Sequence, residues 1–355
     1  MTIVSHAHPF VIGVDTHART HTLAIMVALT GEQLGSEQFP ATPAGMDRAI
    51  GWAGRCTGGD LATLWVIEGI GSYGAKLAHT VAEIGYLVVE APQMNARSRR
   101  GVAKSDPLDA LAIASAARST EVTALRRPRL EKGIRAALRI LVAARDQMTT
   151  ERTANINALI AVVRTVDLGI DARRPLSSVQ VKEIFRWRAR VEEWAVAIAR
   201  AEAIRLATRV VALTQEVECN QARMTELLQD STAAPLLEET RIGPVIAATI
   251  FTTWSHPGRV RHEAAFASLA GVNPIPASSG NTVRHRLNRI GDRRLNKAPH
   301  QATIVSMTHD PDTRAYVERR QGEGRTNREI RRCLQRYLAR HLYRTLNTLY
   351  ANPAP

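Results

Sequence analysis

The first third of the chain alternates short apolar runs with longer helical patterns. Phe10–Val14 and Thr22–Ala28 are strand-length runs rich in β-branched residues, and the polar stretch Asp15–His21 between them suits a hairpin-like connection. Gly31 and Gly35 flank a turn before a third short strand near Gln38. Thr42 or Pro43 opens a helix that runs to about Gly54. Leu61–Ile67 reads as a fourth strand with Glu68 at its C-terminal end, and Gly69, Gly71 and Gly74 loosen the turn into a helix over Ala75–Ile84. Tyr86–Glu90 reads as a fifth strand closed by Pro92, followed by helices over about Gln93–Val102 and Asp106–Ser119.

The pattern changes after residue 127. Leu130, Ile134, Leu138, Leu141 and Val142 recur at helical spacing, and Ile156, Leu159, Val162 and Val163 continue the stripe. The polar stretch Asp167–Arg174 with Pro175 breaks this helix, and a second long one opens near Ser177 or Ser178. Trp187 and Trp194, seven apart, read as core or coiled-coil contacts on that second helix. From residue 233, Arg241-Ile242-Gly243-Pro244 lies between two short helical patterns. A loop rich in Pro, Ser, Gly and Asn covers Gly271–Thr282, and a last helix over about Asn327–Leu349 starts from the capping pair Thr326 and Glu329. The expected architecture is α/β plus all-α, in three parts: 1–127, 128–232 and 233–355. In the first part, three antiparallel strands followed by αβαβα is the order of a ribonuclease-H-like domain, with helices on a mixed sheet. The second reads as a helical coiled-coil or oligomerisation region, and the third is mostly helical.

Charge narrows the partners. The 355 residues carry 47 Lys+Arg against 33 Asp+Glu, a net +14 that draws the chain toward polyanions. An apolar fraction of 45% fits a globular protein and not general disorder. Aromatics at 5% argue against rows of base-stacking rings. No run of about 18 apolar residues is present to span a bilayer. Cys56, Cys219 and Cys333 lie far apart with no CxxC pair, and no signal segment precedes Phe10, so an intracellular, reducing compartment is expected.

The candidate chemistry is a set of four carboxylates. Asp15 follows the first apolar run, Glu68 the fourth strand, and Asp106 and Asp109 share one side of a helix start that Pro107 marks. If the first and fourth strands are neighbours, Asp15 and Glu68 meet at one sheet edge. Acids gathered in this way repel one another unless a cation sits among them, and hard oxygen ligands suit Mg²⁺ or Mn²⁺. Singly, Asp15 also fits a turn and Asp106 a helix cap. His17 reads first as a polar turn residue, with contact to the metal site the alternative, and Lys104 either steers phosphate or flanks the helix. A basic stretch, Arg284, Arg286, Arg289, Arg293, Arg294 and Lys297, offers phosphate contacts. Arg328, Arg331, Arg332, Arg336, Arg340 and Arg344 on the last helix form either a nucleic-acid surface or a solvated charged face.

Three motifs carry a family resemblance: Gly-Val-Asp-Thr-His around Asp15, Val-Ile-Glu-Gly-Ile-Gly-Ser-Tyr around Glu68, and Lys-Ser-Asp-Pro-Leu-Asp-Ala around Asp106 and Asp109. They resemble the DEDD transposases of insertion sequences of the IS110 type, the bridge-RNA-guided recombinases. Phe266–Pro274 resembles that family's block before its nucleophilic serine, which precedes a glycine; the match falls on Ser279 before Gly280, with Ser278 the neighbouring alternative. Arg289-Ile290-Gly291 and Arg293-Arg294-Leu295 resemble its following basic block. Where other members read Pro-Gly-Ile-Gly, this chain has Thr240-Arg241-Ile242-Gly243. The resemblance implies a RuvC-like N-terminal domain binding Mg²⁺ through Asp15, Glu68, Asp106 and Asp109. It also implies a C-terminal transposase domain carrying the serine, and a bridge RNA that pairs with donor and target double-stranded DNA. Strand exchange would pass through a covalent serine–DNA link, in a homo-oligomer (dimer to tetramer) whose active site joins two protomers. The expected setting is a bacterial cytoplasm, at the nucleoid. Two other readings of the same residues are a RuvC-like nuclease or junction resolvase using water, and a non-catalytic nucleic-acid-binding protein.

Overall fold

Runs of branched side chains build the N-terminal sheet. The computed structural model describes residues 2–92, 105–129, 132–280 and 285–351, and it divides into two units, Met1–Arg129 and Leu130–Pro355. In the first, β1 (Phe10–Thr16), β2 (Thr20–Val27) and β3 (Gln33–Pro40) form an antiparallel meander, while β4 (Leu64–Ile67) and β5 (Leu87–Glu90) continue the sheet in parallel. The order is β3-β2-β1-β4-β5, which puts β1 at the centre, buried at nearly every position. A strand covered on both faces reads as a continuous apolar run, as β1 does. After a short α1 (Val4–Ala7), α2 (Pro43–Thr57), α3 (Ala75–Ile84) and α4 (Asp106–Arg118) complete the unit.

Period-two alternation sorts the side chains of β1 and β4 between two cores. Ile12, Val14, Trp65 and Ile67 pack with Met46 and Ile50 of α2 and Leu77 and Val81 of α3. Val11, Leu64 and Val66 pack with Ile113, Ala114 and Ala117 of α4. Burying each large apolar side chain contributes about 1.5–3 kcal/mol. The same alternation puts Asp15 and Glu68 on the α4 side, next in line after Val11 and Gly13 on β1 and after Leu64 and Val66 on β4.

β4 begins at Leu64, three residues later than the sequence suggests, because Asp60 closes a turn by accepting from the backbone N–H of Ala62 at 2.8 Å and of Thr63 at 3.0 Å. The helix expected over Gln93–Val102 lies outside the described residues.

In the second unit, α5 (Gly133–Thr165) and α7 (Trp194–Gln229) are long helices packed side by side. Polar pins fix their register: Arg209 Nε donates to Glu151 at 2.7 Å, and Asn220 Nδ2 to the Leu141 carbonyl at 3.1 Å. The single second helix expected from Ser177 is in fact two. Ser177 caps a short α6 (Ser178–Phe185) through a capping box with Gln180, and the chain then leaves helical form until Trp194. Tertiary contacts favour this break. Arg200 forks onto both oxygens of Glu192 at 2.6 Å and lies 5.0 Å over the Trp187 ring, and neither contact follows from helical spacing. Trp187 therefore lies outside both helices and packs against the α5–α6–α7 core, while Trp194 is exposed.

The remainder comprises α8 (Pro244–Trp254), α9 (Glu263–Leu269), a hairpin of β6 (Pro274–Pro276) and β7 (His285–Leu287), α10 (Arg293–His309), α11 (Pro311–Gly322) and α12 (Asn327–Ala351). Trp254, Phe251, Phe266, Leu295, Leu342 and Leu346 close its core. The stretch over 271–282 that reads as an irregular loop thus contains β6, which its prolines and brevity conceal, and the basic stretch after it contains β7, which its three-residue length conceals. The Thr326–Glu329 capping pair forms as expected, with Glu329 accepting from both the backbone N–H and the hydroxyl of Thr326. Among the described residues, no helix is long and apolar enough to cross a membrane.

Candidate catalytic site

Three side chains converge at the C-terminal end of β1. Asp15 Oδ2 lies 3.2 Å from His17 Nε2, which in turn lies 3.6 Å from Asp106 Oδ1. Gln38 on β3 supports the far side of this group: its Nε2 donates to Asp106 Oδ2 at 3.3 Å and to Thr22 Oγ1 at 3.2 Å. One ligand atom from each of Asp15, His17 and Asp106 falls within a single 4.8 Å group, the spacing of a metal site. Asp109, in the same helical turn as Asp106, acts on Asp15 electrostatically.

Asp15 is buried, and this burial is the first reason its carboxyl titrates above the usual carboxylate range. His17 pulls it back down, while the negative charges of Asp109 and Asp106 push it further up. A buried carboxylate with like charges beside it is the arrangement a cation relieves, and the donor set of carboxylate oxygens plus one imidazole nitrogen fits a divalent ion.

Gly13 sets the distance that makes this cluster. A Cβ at that position would stand 2.1 Å from the Ala110 carbonyl oxygen and 2.6 Å from the Ala114 nitrogen, both backbone atoms of α4. Only glycine allows α4 to approach β1 so closely, and α4 carries Asp106 and Asp109 in its first turn. Motif reading misses this role, although a lone glycine inside a run of Val and Ile is the signal for a close backbone approach. His17, expected first as a turn residue, instead bridges two of the candidate ligands with its imidazole.

Glu68 reaches the same edge but does not join the cluster. β1 and β4 are hydrogen-bonded neighbours, Val14 facing Ile67, and the Glu68 N–H donates to the Val14 carbonyl at 3.0 Å. The Thr16 hydroxyl donates to the Glu68 carbonyl at 2.8 Å. Glu68 itself is exposed. His21, the other early histidine, is buried on β2, where burial holds its pKa low.

Ser279 sits apart from this centre in sequence, just beyond β6, and is exposed. Gly280 after it takes φ +55°, a left-handed turn that a residue with a Cβ adopts only at a cost. Of the basic residues, Lys104 and Arg284 lie outside the described residues. Arg286, Arg289, Arg293 and Lys297 are exposed, whereas Arg294 is engaged by Asp146 of α5 at 2.5 Å. On α12, Arg340 and Arg344 both bind Glu263, at 2.9 and 3.0 Å, so these two are structural cations rather than a free face. Arg241 adopts φ +88°, the conformation a glycine favours, and pairs with Asp310 at 2.8 Å.

Taken together, these parts define an α/β protein with a carboxylate-rich, metal-capable centre, joined to a helical unit with a basic hairpin. A transposase family of the IS110 DEDD type matches residues 12–166, spanning all four acids, and the "Transposase IS116/IS110/IS902 family" matches residues 233–318, spanning Ser279 and the basic stretch. The chain is 27% identical over 299 residues to the "Insertion element IS900 uncharacterized 42 kDa protein" of Mycobacterium paratuberculosis, covering 72% of this chain and 73% of that protein. It is also 27% identical over 154 residues to the "Insertion element IS110 uncharacterized 43.6 kDa protein" of Streptomyces coelicolor, covering 42% and 38% respectively. The chain belongs to the IS110-type family of insertion-sequence transposases. Membership implies DNA as substrate, with its strands cut and rejoined, and suggests a divalent metal.

Proposed function

We propose that this chain is a bridge-RNA-guided recombinase whose N-terminal unit is RuvC-like, with Asp15, Glu68, Asp106 and Asp109 as metal ligands and Ser279 as nucleophile. The observation that carries the reading is the convergence of buried Asp15 with Asp106 and Asp109 at the end of a central strand, in a chain of this family. The strand order, with β1 between an antiparallel β2 and a parallel β4, supports the ribonuclease-H-like fold. A divalent cation (Mg²⁺ or Mn²⁺) held there would supply positive charge to phosphate oxygens and make a nearby hydroxyl more acidic.

The residues then divide the work. Asp15, Asp106 and Asp109 would hold the cation, joined by Glu68 from its exposed position at the same edge, with His17 and Gln38 orienting Asp15 and Asp106. Ser279 Oγ attacks a DNA phosphate: the Oγ–P bond forms, the bond from phosphorus to one deoxyribose oxygen breaks, the serine proton is lost and the released hydroxyl gains one. A hydroxyl of another strand reverses the step, and the diester energy is kept, so rejoining needs no ATP. Arg286, Arg289, Arg293 and Lys297 neutralise phosphates in a homo-oligomer acting on donor and target duplexes. Sequence choice rests with base pairing by the bridge RNA, so the protein reads backbones and shape. A nucleoid setting in a bacterial cytoplasm follows from that role.

Ser279→Ala tests the mechanism. With Mg²⁺ and DNA, the covalent protein–DNA adduct seen on a denaturing gel disappears in this variant and strand transfer falls to background. Persistence of the adduct overturns Ser279, and Ser278→Ala is the companion measurement. Cleavage that persists without any adduct moves the chain to the water-using nuclease reading.

A further inference from the structure

Two groups stand out among the arginines of the C-terminal region. Arg241, Arg294, Arg340 and Arg344 are neutralised internally, by Asp310, Asp146 and, for the last two, Glu263. Five others converge on one cleft of about 970 Å³: Arg286 and Arg289 from the hairpin and its exit, and Arg328, Arg331 and Arg332 from α12. No carboxylate lines this cleft among the described residues; Glu329, which pairs with Arg325 and also feels the charge of Arg332, lies outside its lining.

The placement on α12 follows from helix geometry. Residues 328, 331 and 332 share one helical face, because positions three and four apart are neighbours. Arg340 and Arg344, about two to four turns farther along the same i+4 row, are bound by Glu263 instead. The capping box at Thr326 and Glu329 fixes the first turn. Gln335, on the same face as Arg328, lies 2.8 Å from His300 Nδ1 and ties α12 to α10 at the cleft wall. Arg328 lies in the first turn of α12, at the helix's positive end, where a cation is least favourable. Gathering five arginines around one cleft costs stability unless an anion with several charges shares it. A single phosphate would leave most of the five unpaired, whereas a backbone carries a charge at every step.

We propose that this cleft holds a DNA phosphodiester strand, gripped between the hairpin and the first turns of α12. The choice of DNA rests on the functional reading above: Ser279 lies in the chain segment between β6 and β7, and Arg286 of β7 lines the cleft, so the strand that meets the serine is the strand nearest these arginines. Arg328, Arg331 and Arg332 are then binding residues, on a helix outside the basic block of residues 284–297.

The test is binding of a short DNA duplex by the purified full chain across a salt series. For Arg328→Gln/Arg331→Gln/Arg332→Gln, the slope of log K against log salt should become shallower by about two to three, close to 0.9 for each phosphate no longer neutralised. Arg344→Gln, which removes an internally paired cation, should leave the slope unchanged. A duplex RNA of equal length forms the second arm. An unchanged DNA slope in the triple variant, or a change confined to RNA, overturns the proposal. If the triple variant does not fold by circular dichroism, Arg286→Gln/Arg289→Gln gives the same reading from the other wall, with the slope shallower by about two. Ser279→Ala, run alongside, separates the two ideas. Its adduct reports the serine chemistry and its salt slope reports the cleft, so either can fail while the other stands.

Discussion

The acidic centre of the first unit and the arginine cleft of the second solve opposite problems. The first gathers like charges at a buried edge, and only close packing can force them together: Gly13 lets α4 lie against β1, and Asp15 titrates high as a consequence. The second spreads cations along an open cleft, with Arg286, Arg289 and Arg328 exposed and Arg331 and Arg332 half-buried, and there spacing along a helix suffices. A metal site needs ligand atoms placed to a few tenths of an ångström, while a phosphate backbone needs only charge within reach. Precision is therefore expected to reside in the sheet and its helix, and tolerance in the hairpin and α12.

The most severe way to break the contrast is Asp15→Asn. It removes the buried ligand, and strand cleavage with Mg²⁺ or Mn²⁺ should fall by about a thousandfold or more, the scale of losing one preorganised charge in an active site; an end-labelled DNA cleavage assay reads it. Gly13→Ala comes next. Its methyl meets two backbone atoms of α4, so the chain should lose about 1–3 kcal/mol in urea melts, with cleavage falling in parallel because Asp106 and Asp109 move. Ser279→Ala on the exposed side should do the reverse, abolishing the adduct while stability stays within about 0.5 kcal/mol.

A smaller effect tests the cost of the buried acid. The Asp15 pKa is raised in the folded state, so its contribution to stability is fullest below the unfolded carboxylate value of 3.8 and is lost as pH rises through the folded value. At neutral pH, metal-free Asp15→Asn should therefore melt at or above the parent chain, and this advantage should vanish in acid. Added Mn²⁺ should raise the melting temperature of the parent and not of the variant. Smallest of all is Arg294→Gln. Its exposed pair with Asp146 is expected to contribute about 0–1 kcal/mol, and DNA affinity should change less than for Lys297→Gln, since the Arg294 charge is already engaged inside the molecule.

Much of this is legible from sequence because it depends on local pattern. The strands and helices of the first unit follow from apolar periodicity, and Pro107 marks the start of α4. The capping boxes at Thr326 and Ser177 place two further helix starts within a residue or two. The motifs around the four acids identify candidates for the site before any coordinates. What stays hidden depends on partners distant in the chain. The break between α6 and α7 hangs on Arg200 reaching Glu192 and Trp187, which helical spacing cannot reveal. The β6–β7 hairpin escapes notice because three-residue strands carry no usable period, and β6 has prolines besides.

The sequence by itself therefore determined the inventory: a mixed α/β unit, long helices, four acids, a serine before a glycine and a surplus of arginine. Each of these is encoded within a few consecutive residues. Only the tertiary structure decided the pairings. It brought His17 between Asp15 and Asp106, left the Glu68 carboxylate in solvent, and sorted the arginines into those with an internal carboxylate and those without. An electrostatic partner is fixed by distance in space, and distance in space is set by packing between segments that the local pattern does not connect.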